Sequence, residues 1–462
     1  MLSLRKSLRS RAASFYHSYI HDSPLLNPHQ IDYTRDLHRN LFTTMVSAIP
    51  AQLQMVSPQL IAGAIMEYWR KGPAQPSWSL QVHVTVHILR DMLTAFNDVY
   101  TDEEMAALRN YLTSFSTPPL PWRAKVRDDY VAQVFRARAI EILASLNVDV
   151  SALRTPEKEP AQLHGEWFTW QDDETDGGAH GPTTARNGVI LHLHGGAYVI
   201  CSSKSHRPLA WRLARDTGLE VFLPNYRLAP EDPFPAGLAD CVASYLWLTD
   251  RTGLGAGYLP SQVVIGGDSA GGGLTGALLQ IIRDAKLDCP AGAYLWSPWT
   301  DMTNSSKSFE ANGATDYLPG SDISHLWMDR PACRGEHFYV RRNDMLRSPY
   351  VSPLFGDLSN FPPILVQTGK VERLYDESVQ FAEKVNANND PECVPVRLEM
   401  FEEMPHVWQM LLYLPSAKEA MRRTALFVQN ALRHASEDGT HIKMRGWRAT
   451  VSVDGEATLQ SW

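Results

Sequence analysis

Short apolar runs separated by longer mixed segments dominate the chain from Gly165 onward. Several runs are apolar at nearly every position, which is typical of strands buried on both faces of a sheet. The predicted strands are Glu166–Trp170, Val189–His194, Val221–Tyr226, Val263–Gly266, Ala293–Trp296, Ile364–Thr368 and Val396–Phe401. The connections between them have helical patterns, as right-handed crossovers of a parallel sheet require. This alternation predicts an α/β protein with a mostly parallel sheet over residues 161–432.

Residues 1–160 have a mostly helical pattern and contain no catalytic motif. A helix is predicted from Thr101, where three acidic residues follow a capping residue. A second helix is predicted over Lys125–Leu146, a long proline-free stretch with apolar residues at helical spacing. We interpret the region as a helical N-terminal cap that covers the α/β core and shapes a pocket there.

The core pattern stops after Leu432, and residues 433–462 are predicted to form a separate appendage. Alternating residues on either side of Asp454 and Gly455 are a hairpin signal. An isolated two-stranded hairpin is only marginally stable in water, so disorder is the alternative prediction for this segment.

Composition excludes some functions and restricts the location of the chain. The 462 residues carry a formal net charge of −8, which gives no general attraction to nucleic acid. The five scattered cysteines fit reduced thiols in an intracellular, cytoplasmic protein. The basic first 21 residues lack the apolar core of a secretory signal. The uncharged stretch Asn40–Met66 is interrupted by Pro50 and Pro58, so we predict helices that can contact a membrane surface without spanning it.

The strand Val263–Gly266 runs into a glycine-rich turn that opens a helix of small residues. Residues 267–271 fit the pattern G-x-S-x-G, in which a strained turn exposes a serine hydroxyl at a helix N-terminus. Ser269 is therefore a candidate nucleophile. A glycine-rich turn without chemistry is the alternative, and the rest of the chain decides between the two.

A second glycine pair follows the strand Val189–His194. Gly195 and Gly196 allow backbone N–H groups to turn toward a substrate oxygen, and the N–H of Ala270 adds a donor beside the candidate nucleophile. His192 and His194 lie on one strand face as a metal pair would. No third ligand of suitable spacing follows, so we predict no metal, and we expect His194 to brace the loop.

Two loops at the carboxyl ends of later strands carry the remaining candidates. Residues 369–377 hold several carboxylates, and His406 follows the last predicted strand. Ligands of open α/β sheets bind at this edge. A lone histidine in such a loop is more often structural. The chain order serine, acid, histidine is nevertheless that of the α/β-hydrolase triad, which favours His406 as a general base.

Four motifs together resemble the hormone-sensitive-lipase-like group of α/β hydrolases, and the similarity runs from about Asn187 to Leu432. The motifs are His194–Gly196, Tyr226–Glu231, Gly267–Gly272 and Ser297–Asp301. The preceding region, including Gly72–Trp78, resembles the cap of fungal members related to steryl acetyl hydrolases. The resemblance implies an eight-stranded, mostly parallel sheet, a helical cap and esterase chemistry, and we predict no cofactor.

The resemblance also implies roles for single residues. Ser269 matches the nucleophile and His406 the base, while Gly195, Gly196 and Ala270 match the oxyanion donors. Ala197 replaces the third glycine of the family motif.

The triad acid, usually an aspartate, falls on Glu372, which can hold the imidazole tautomer as aspartate does. Asp376 is the alternative acid, but its position on an i, i+4 step would place it one helical turn further on.

Three functions are compatible with these residues. The first is a serine carboxylesterase that hydrolyses an ester of an apolar small molecule, with Tyr198, Trp296 and Trp299 as candidate pocket residues. The second is an enzyme of a fungal secondary-metabolite pathway that deacylates, opens or cyclises a polyketide-derived substrate. A ligand-binding receptor is the third, and it would not need the base His406. The sequence carries no signal of oligomeric state.

Overall fold

The computed structural model describes residues 58–94, 109, 120–151, 153, 163–171, 188–320, 337–340, 342–390, 396–435, 446–460 and 462. Its main elements are, in chain order, α1 (Pro58–Lys71), α2 (Leu80–Thr94), β1 (Ala124–Val131), α3 (Gln133–Ser145), β2 (Leu163–Trp170), β3 (Val189–Leu193), α4 (Ser203–Thr217), β4 (Glu220–Pro224), α5 (Ala236–Thr249), β5 (Val263–Asp268), α6 (Ala270–Asp284), β6 (Gly292–Trp296), α7 (Lys307–Ala311), β7 (Ile364–Gly369), α8 (Tyr375–Asn388), β8 (Val396–Phe401), α9 (Pro415–His434), β9 (Trp447–Val451) and β10 (Ala457–Gln460).

The strands of the described residues form one sheet in the order β1-β2-β4-β3-β5-β6-β7-β8-β9-β10. Pairing is parallel from β4 through β9, whereas β1, β2 and β10 join their neighbours antiparallel. The predicted mostly parallel sheet is therefore confirmed, and the seven strands read from the pattern are β2 through β8. The sheet has ten strands instead of the expected eight because a hairpin of β9 and β10 extends its edge.

The helix predicted over Lys125–Leu146 is wrong in its first part. Residues 124–131 form β1, which pairs antiparallel with β2 and sets Val126 opposite Phe168. The helix α3 begins only at Gln133, after Ala132 in an extended conformation. Pairing with a neighbouring strand outweighs local helical spacing, because strand formation depends on tertiary partners.

The hairpin signal at Asp454 and Gly455 corresponds to β9 and β10. These strands are part of the sheet, since β9 pairs in parallel with β8 and the N–H of Glu402 donates to the carbonyl of Val451 at 2.8 Å. The basic tail, most of Asn40–Met66 and the helix predicted from Thr101 lie outside the described residues. No helix within the described ranges is long and apolar enough to cross a membrane.

Apolar side chains cover both faces of the sheet. In β3, Val189, Leu191 and Leu193 point toward the layer of α3, α5, α6 and α8, and Ile190 points toward α4 and α9. Each large apolar side chain buried in this way stabilises the fold by about 1.5–3 kcal/mol.

A third apolar cluster joins the N-terminal region to the loop after β8, with Trp78 and Val82 against Met404 and Trp408. The N-terminal helices therefore lie against the loop that carries His406.

Candidate active site

Ser269 occupies the sharp turn between β5 and α6. Its φ of 55° and ψ of −121° lie where residues other than glycine rarely occur, at a cost of about 1–3 kcal/mol. The backbone N–H of Ser269 donates to the carbonyl of Trp296, and the carbonyl of Ser269 accepts from the backbone N–H of Trp299, both at 2.9 Å. A Cβ at Gly267 or Gly271 would collide with backbone. The surrounding fold therefore holds the serine in its strained conformation.

His406 joins the serine to an acid. The Ser269 hydroxyl donates to His406 Nε2 at 2.8 Å, and His406 Nδ1 donates to Glu372 Oε2 at 2.8 Å. The other oxygen of Glu372 accepts from the N–H of Gly369 at 2.9 Å and from the hydroxyl of Thr368 at 2.5 Å. The structure thus brings the three candidates together in one hydrogen-bonded chain, with Ser269 8% exposed, His406 2% and Glu372 0%.

Asp376 does not contact the histidine. It lies in the first turn of α8, where its carboxylate accepts from the N–H of Ser308 at 2.8 Å. The N–H of Asp376 donates in turn to the Ser308 hydroxyl at 2.9 Å. Of the two acids considered, Glu372 contacts the imidazole, whereas the carboxylate of Asp376 binds a backbone N–H at the start of α7.

Burial and charge act in opposite directions on the histidine. Burial lowers the pKa of His406, but the hydrogen bond and charge of Glu372, with Asp316 and Asp268 further away, raise that pKa above its usual value. Burial raises the pKa of Glu372, and its contact with His406 opposes the rise. The negative charge of Glu372 therefore favours the imidazolium that forms when the histidine accepts a proton.

The turn after β3 differs from the prediction at Gly195. Its N–H donates to Asp268 Oδ1 at 3.2 Å and lies 3.3 Å from His206 Nε2, so it is not free for an oxyanion. Burial would raise the pKa of Asp268, but the neighbouring His206 and His192 hold it well below the usual range. An ionised carboxylate behind the turn therefore binds the first of the two glycines.

The next N–H groups of the turn are not engaged in this way. Gly196, with φ of 108°, and Ala197, with φ of 53°, continue the turn. Among the described residues, the N–H groups of Gly196, Ala197 and Ala270 donate to no protein acceptor. Ala197 was absent from the predicted donors, because no feature of the sequence shows that Asp268 occupies the N–H of Gly195.

The two strand histidines have protein partners. His192 Nδ1 lies 2.8 Å from the Tyr294 hydroxyl, and His192 Nε2 lies 3.3 Å from Asp268 Oδ1. His194 donates from Nδ1 to the carbonyl of Gly195 at 2.8 Å and stacks on Tyr226, which is the bracing role expected of it. The described residues contain no group of three His, Cys, Asp or Glu side chains suited to a metal ion.

Contacts from the N-terminal region reach the loop of the base. The Trp78 indole donates to the carbonyl of Glu403 at 2.6 Å, and the N–H of Ser77 donates to the Glu403 carboxylate at 2.8 Å. Glu403 has φ of 56° and lies in the same loop as His406, a few residues before it. Sequence reasoning missed this contact, because Trp78 and Glu403 are 325 residues apart and no local pattern pairs them.

Arg109 makes a similar contact with the loop that follows the glycine pair. Its guanidinium donates to the carbonyl of Val199 at 2.5 Å and to both oxygens of Glu231 at 2.8 Å. A bidentate arginine–carboxylate pair fixes geometry as well as adding energy. The N-terminal region therefore holds both the loop of the base and the loop of the oxyanion candidates.

Aromatic residues beside the site divide into core and candidate pocket. Trp296 is fully buried and donates to the Thr424 hydroxyl at 3.1 Å, so it belongs to the core. Tyr198 stacks on Tyr339 with ring centroids 3.8 Å apart. The edge of Tyr317 meets the His406 ring at 5.7 Å. Tyr198 and Tyr339 are each 3% exposed and belong to the core cluster. Tyr317 is partly exposed, so it is the candidate pocket residue among these four.

The chain is similar to known proteins in both sequence and fold. Residues 190–410 match the family described as alpha/beta hydrolase fold. An acetyl-hydrolase of Streptomyces hygroscopicus is 35% identical over 247 residues, which are 53% of this chain and 76% of that protein. An esterase of Acinetobacter venetianus is 33% identical over 240 residues, or 52% and 74% of the two chains. The solved structure of an esterase from the bacterial hormone-sensitive lipase family has a TM-score of 0.56 at 28% identity and covers 75% of this chain and 98% of its own.

The fold and the relatives define the class as α/β hydrolase. The chain belongs to the hormone-sensitive-lipase-like group of that class and is a carboxylic ester hydrolase. The family resemblance drawn from the four motifs is thereby confirmed. The likeness of residues 72–78 to fungal relatives of steryl acetyl hydrolases stays a prediction.

Proposed function

We propose that this protein is a serine carboxylesterase that hydrolyses esters of apolar small molecules through an acyl-enzyme. The observation that carries the proposal is the chain of two 2.8 Å hydrogen bonds from Ser269 through His406 to Glu372. A nucleophile, a base and an acid that orients the base are the parts needed to activate a hydroxyl at neutral pH.

In the first half of the proposed reaction, Ser269 Oγ attacks the ester carbonyl and its proton passes to His406 Nε2. Glu372 keeps Nδ1 protonated and stabilises the imidazolium. The N–H groups of Gly196, Ala197 and Ala270 are the donors proposed for the oxyanion, since the N–H of Gly195 is already bonded. The imidazolium then protonates the leaving alcohol.

In the second half, His406 takes a proton from water and the resulting hydroxide attacks the acyl-enzyme. Collapse of the tetrahedral intermediate releases the acid and returns the proton to Ser269. The partly exposed ring of Tyr317 beside His406 supports an apolar substrate. The relatives named acetyl-hydrolase support a short acyl group, so we expect acetate esters to be turned over faster than long-chain esters.

A fluorophosphonate probe tests the nucleophile directly. We expect it to label Ser269 alone, because its hydroxyl donates to a histidine that a carboxylate orients. The Ser205 hydroxyl also lies 2.9 Å from a histidine, His206, but it donates to the carbonyl of Ser202. Peptide mass spectrometry after labelling identifies the modified residue.

Ser244→Ala, which removes a buried hydroxyl bonded to the carbonyl of Asp240 in α5, is the matched control and should label normally. Labelling of another serine, or none in folded protein, would refute the assignment. Labelling without turnover of any ester would favour the polyketide-pathway alternative.

We expect activity to decline as the pH is lowered, with a midpoint above the usual histidine pKa of about 6.5. A general base must be neutral in the free enzyme, and Glu372 raises the pKa of His406. Because the pKa is raised, the midpoint of the acid limb of kcat/KM moves to higher pH. Initial rates with p-nitrophenyl acetate across pH, after controls for stability at each pH, measure this midpoint. An acid limb with its midpoint below the usual histidine pKa would contradict the claim that the negative charge of Glu372 stabilises the protonated form of His406.

A further inference from the structure

The carboxylate of Asp316 contacts the backbone of two loops of the proposed triad, the loop that carries His406 and the loop that carries Glu372. Its Oδ1 accepts from the N–H of His406 at 3.1 Å, and its Oδ2 accepts from the N–H of Arg373 at 2.7 Å. The side chain is 0% exposed. One carboxylate therefore connects the loop of the base with the loop of the acid, at the base itself and at the residue next to Glu372.

The segment that carries Asp316 is itself fixed to the acid loop. Asn312 Nδ2 donates to the carbonyl of Glu372 at 2.8 Å, and the Thr315 hydroxyl donates to the carbonyl of Val371 at 2.8 Å. From the other side, the Arg90 guanidinium of α2 donates to the carbonyl of Asp316 at 2.6 Å. Asp316 thus has little freedom to move away from the two loops.

Within the described part of the chain, the Asp316 carboxylate accepts hydrogen bonds from backbone N–H groups alone, the third being from Tyr317 at 2.8 Å. Accepting only is how an ionised carboxylate bonds. Among the described residues, no arginine or lysine side chain donates to the carboxylate oxygens of Asp316, so a cation does not neutralise their charge by direct contact. Buried charge of this kind acts on a neighbouring imidazole through a weakly screening medium.

We propose that Asp316 is a positioning residue that holds the backbone of His406 in register with Glu372 and places a second negative charge beside the imidazolium. The proposal rests on the triad of the proposed function and assigns a residue outside it. The charged and titratable groups around His406 are Glu372 after β7, Asp268 before Ser269, Tyr317 and Asp316. Those around Asp316 are Glu372, Tyr317, Arg90 and Arg373.

Removing the charge while keeping the shape tests both parts of the proposal. We expect Asp316→Asn to lower kcat on the order of ten-fold with KM within about two-fold, because small misplacement of the base slows chemistry more than binding. The midpoint of the acid limb of kcat/KM should shift to lower pH by about half a unit or more, because the imidazolium loses a neighbouring negative charge. A loss of packing alone would not move this limb.

Asp301→Asn is the matched control. Asp301 is also a buried carboxylate that accepts from backbone N–H groups, those of Thr303 and Ser305, and it does not contact the triad. Its removal should lower thermal stability and leave the acid limb in place. Asp316→Glu, which keeps the charge and lengthens the side chain, should retain the wild-type acid limb with reduced kcat.

The outcomes separate this proposal from the function on which it rests. Wild-type protein that takes no fluorophosphonate at Ser269 overturns both. Labelled wild type together with a folded Asp316→Asn variant of unchanged kcat and acid limb overturns the role of Asp316 alone. If Asp316→Asn does not fold, Asp316→Glu decides: reduced kcat with the wild-type limb supports the proposal, and unchanged kcat overturns it.

Discussion

Ser269→Ala is expected to reduce kcat for p-nitrophenyl acetate by about a millionfold, the loss seen when a triad serine is removed in a protease. Without Oγ no acyl-enzyme forms, and the remaining groups can only assist direct attack by water. The fold should survive, because the backbone bonds of residue 269 to Trp296 and Trp299 do not involve the hydroxyl. Rates corrected for spontaneous hydrolysis of the ester measure the effect. Mass spectrometry should find an acyl-enzyme in the wild type and none in the variant.

A control variant and two contradicting outcomes define this test. Ser244→Ala removes a buried hydroxyl of similar size from α5 and should keep wild-type kcat. Acylation of a serine other than Ser269 in the wild type would contradict the assignment. So would turnover by Ser269→Ala within about ten-fold of the wild type, since no triad tolerates loss of its nucleophile to that degree.

Glu372→Gln is expected to lower kcat by about 10⁴-fold, the loss found when a triad acid is replaced by its amide. The amide leaves the histidine in the wrong tautomer and removes the charge that stabilises the imidazolium. Circular dichroism and thermal unfolding should show a folded protein. The steady-state rate and the phosphonate labelling rate should fall together, because both depend on the same activated hydroxyl.

Asp376→Asn is the matched test on the neighbouring acid. The carboxylate of Asp376 accepts a hydrogen bond from the N–H of Ser308 at the start of α7. Loss of this charge should therefore lower the free energy of unfolding by about 1 kcal/mol and change activity little. An inactive Asp376→Asn variant beside an active Glu372→Gln variant would reverse the assignment of the triad acid. That outcome would also contradict the 2.8 Å contact between Glu372 and His406.

The buried strands and the order of the candidates were accessible from sequence because they are local signals. Continuous apolar runs identify β3 and β5, and the glycine turn around Ser269 requires its residues for steric reasons that act within a few positions. The prediction of a helix over residues 125–131 was wrong because β1 depends on pairing with β2, and no short window of the sequence contains both strands.

The finer geometry of the site was not accessible for the same reason. Which N–H groups remain free in the turn after β3 depends on Asp268, which arrives from another strand and binds Gly195. The contact of Trp78 with Glu403 and that of Asp316 with His406 likewise join segments far apart in the chain. Motifs indicated the candidate triad, whereas the residues that hold it in place follow only from the tertiary fold.

The loop that carries His406 rests on Trp78 from one side and is joined to β9 from the other, through Glu402 and Val451. Contacts between such distant parts of the sequence close late in folding, because the entropy of a long loop must be lost first. During synthesis the nucleophile turn leaves the ribosome long before residue 451. The base therefore reaches its final support only when nearly all of the described chain is available, and a partly made chain should lack hydrolytic activity.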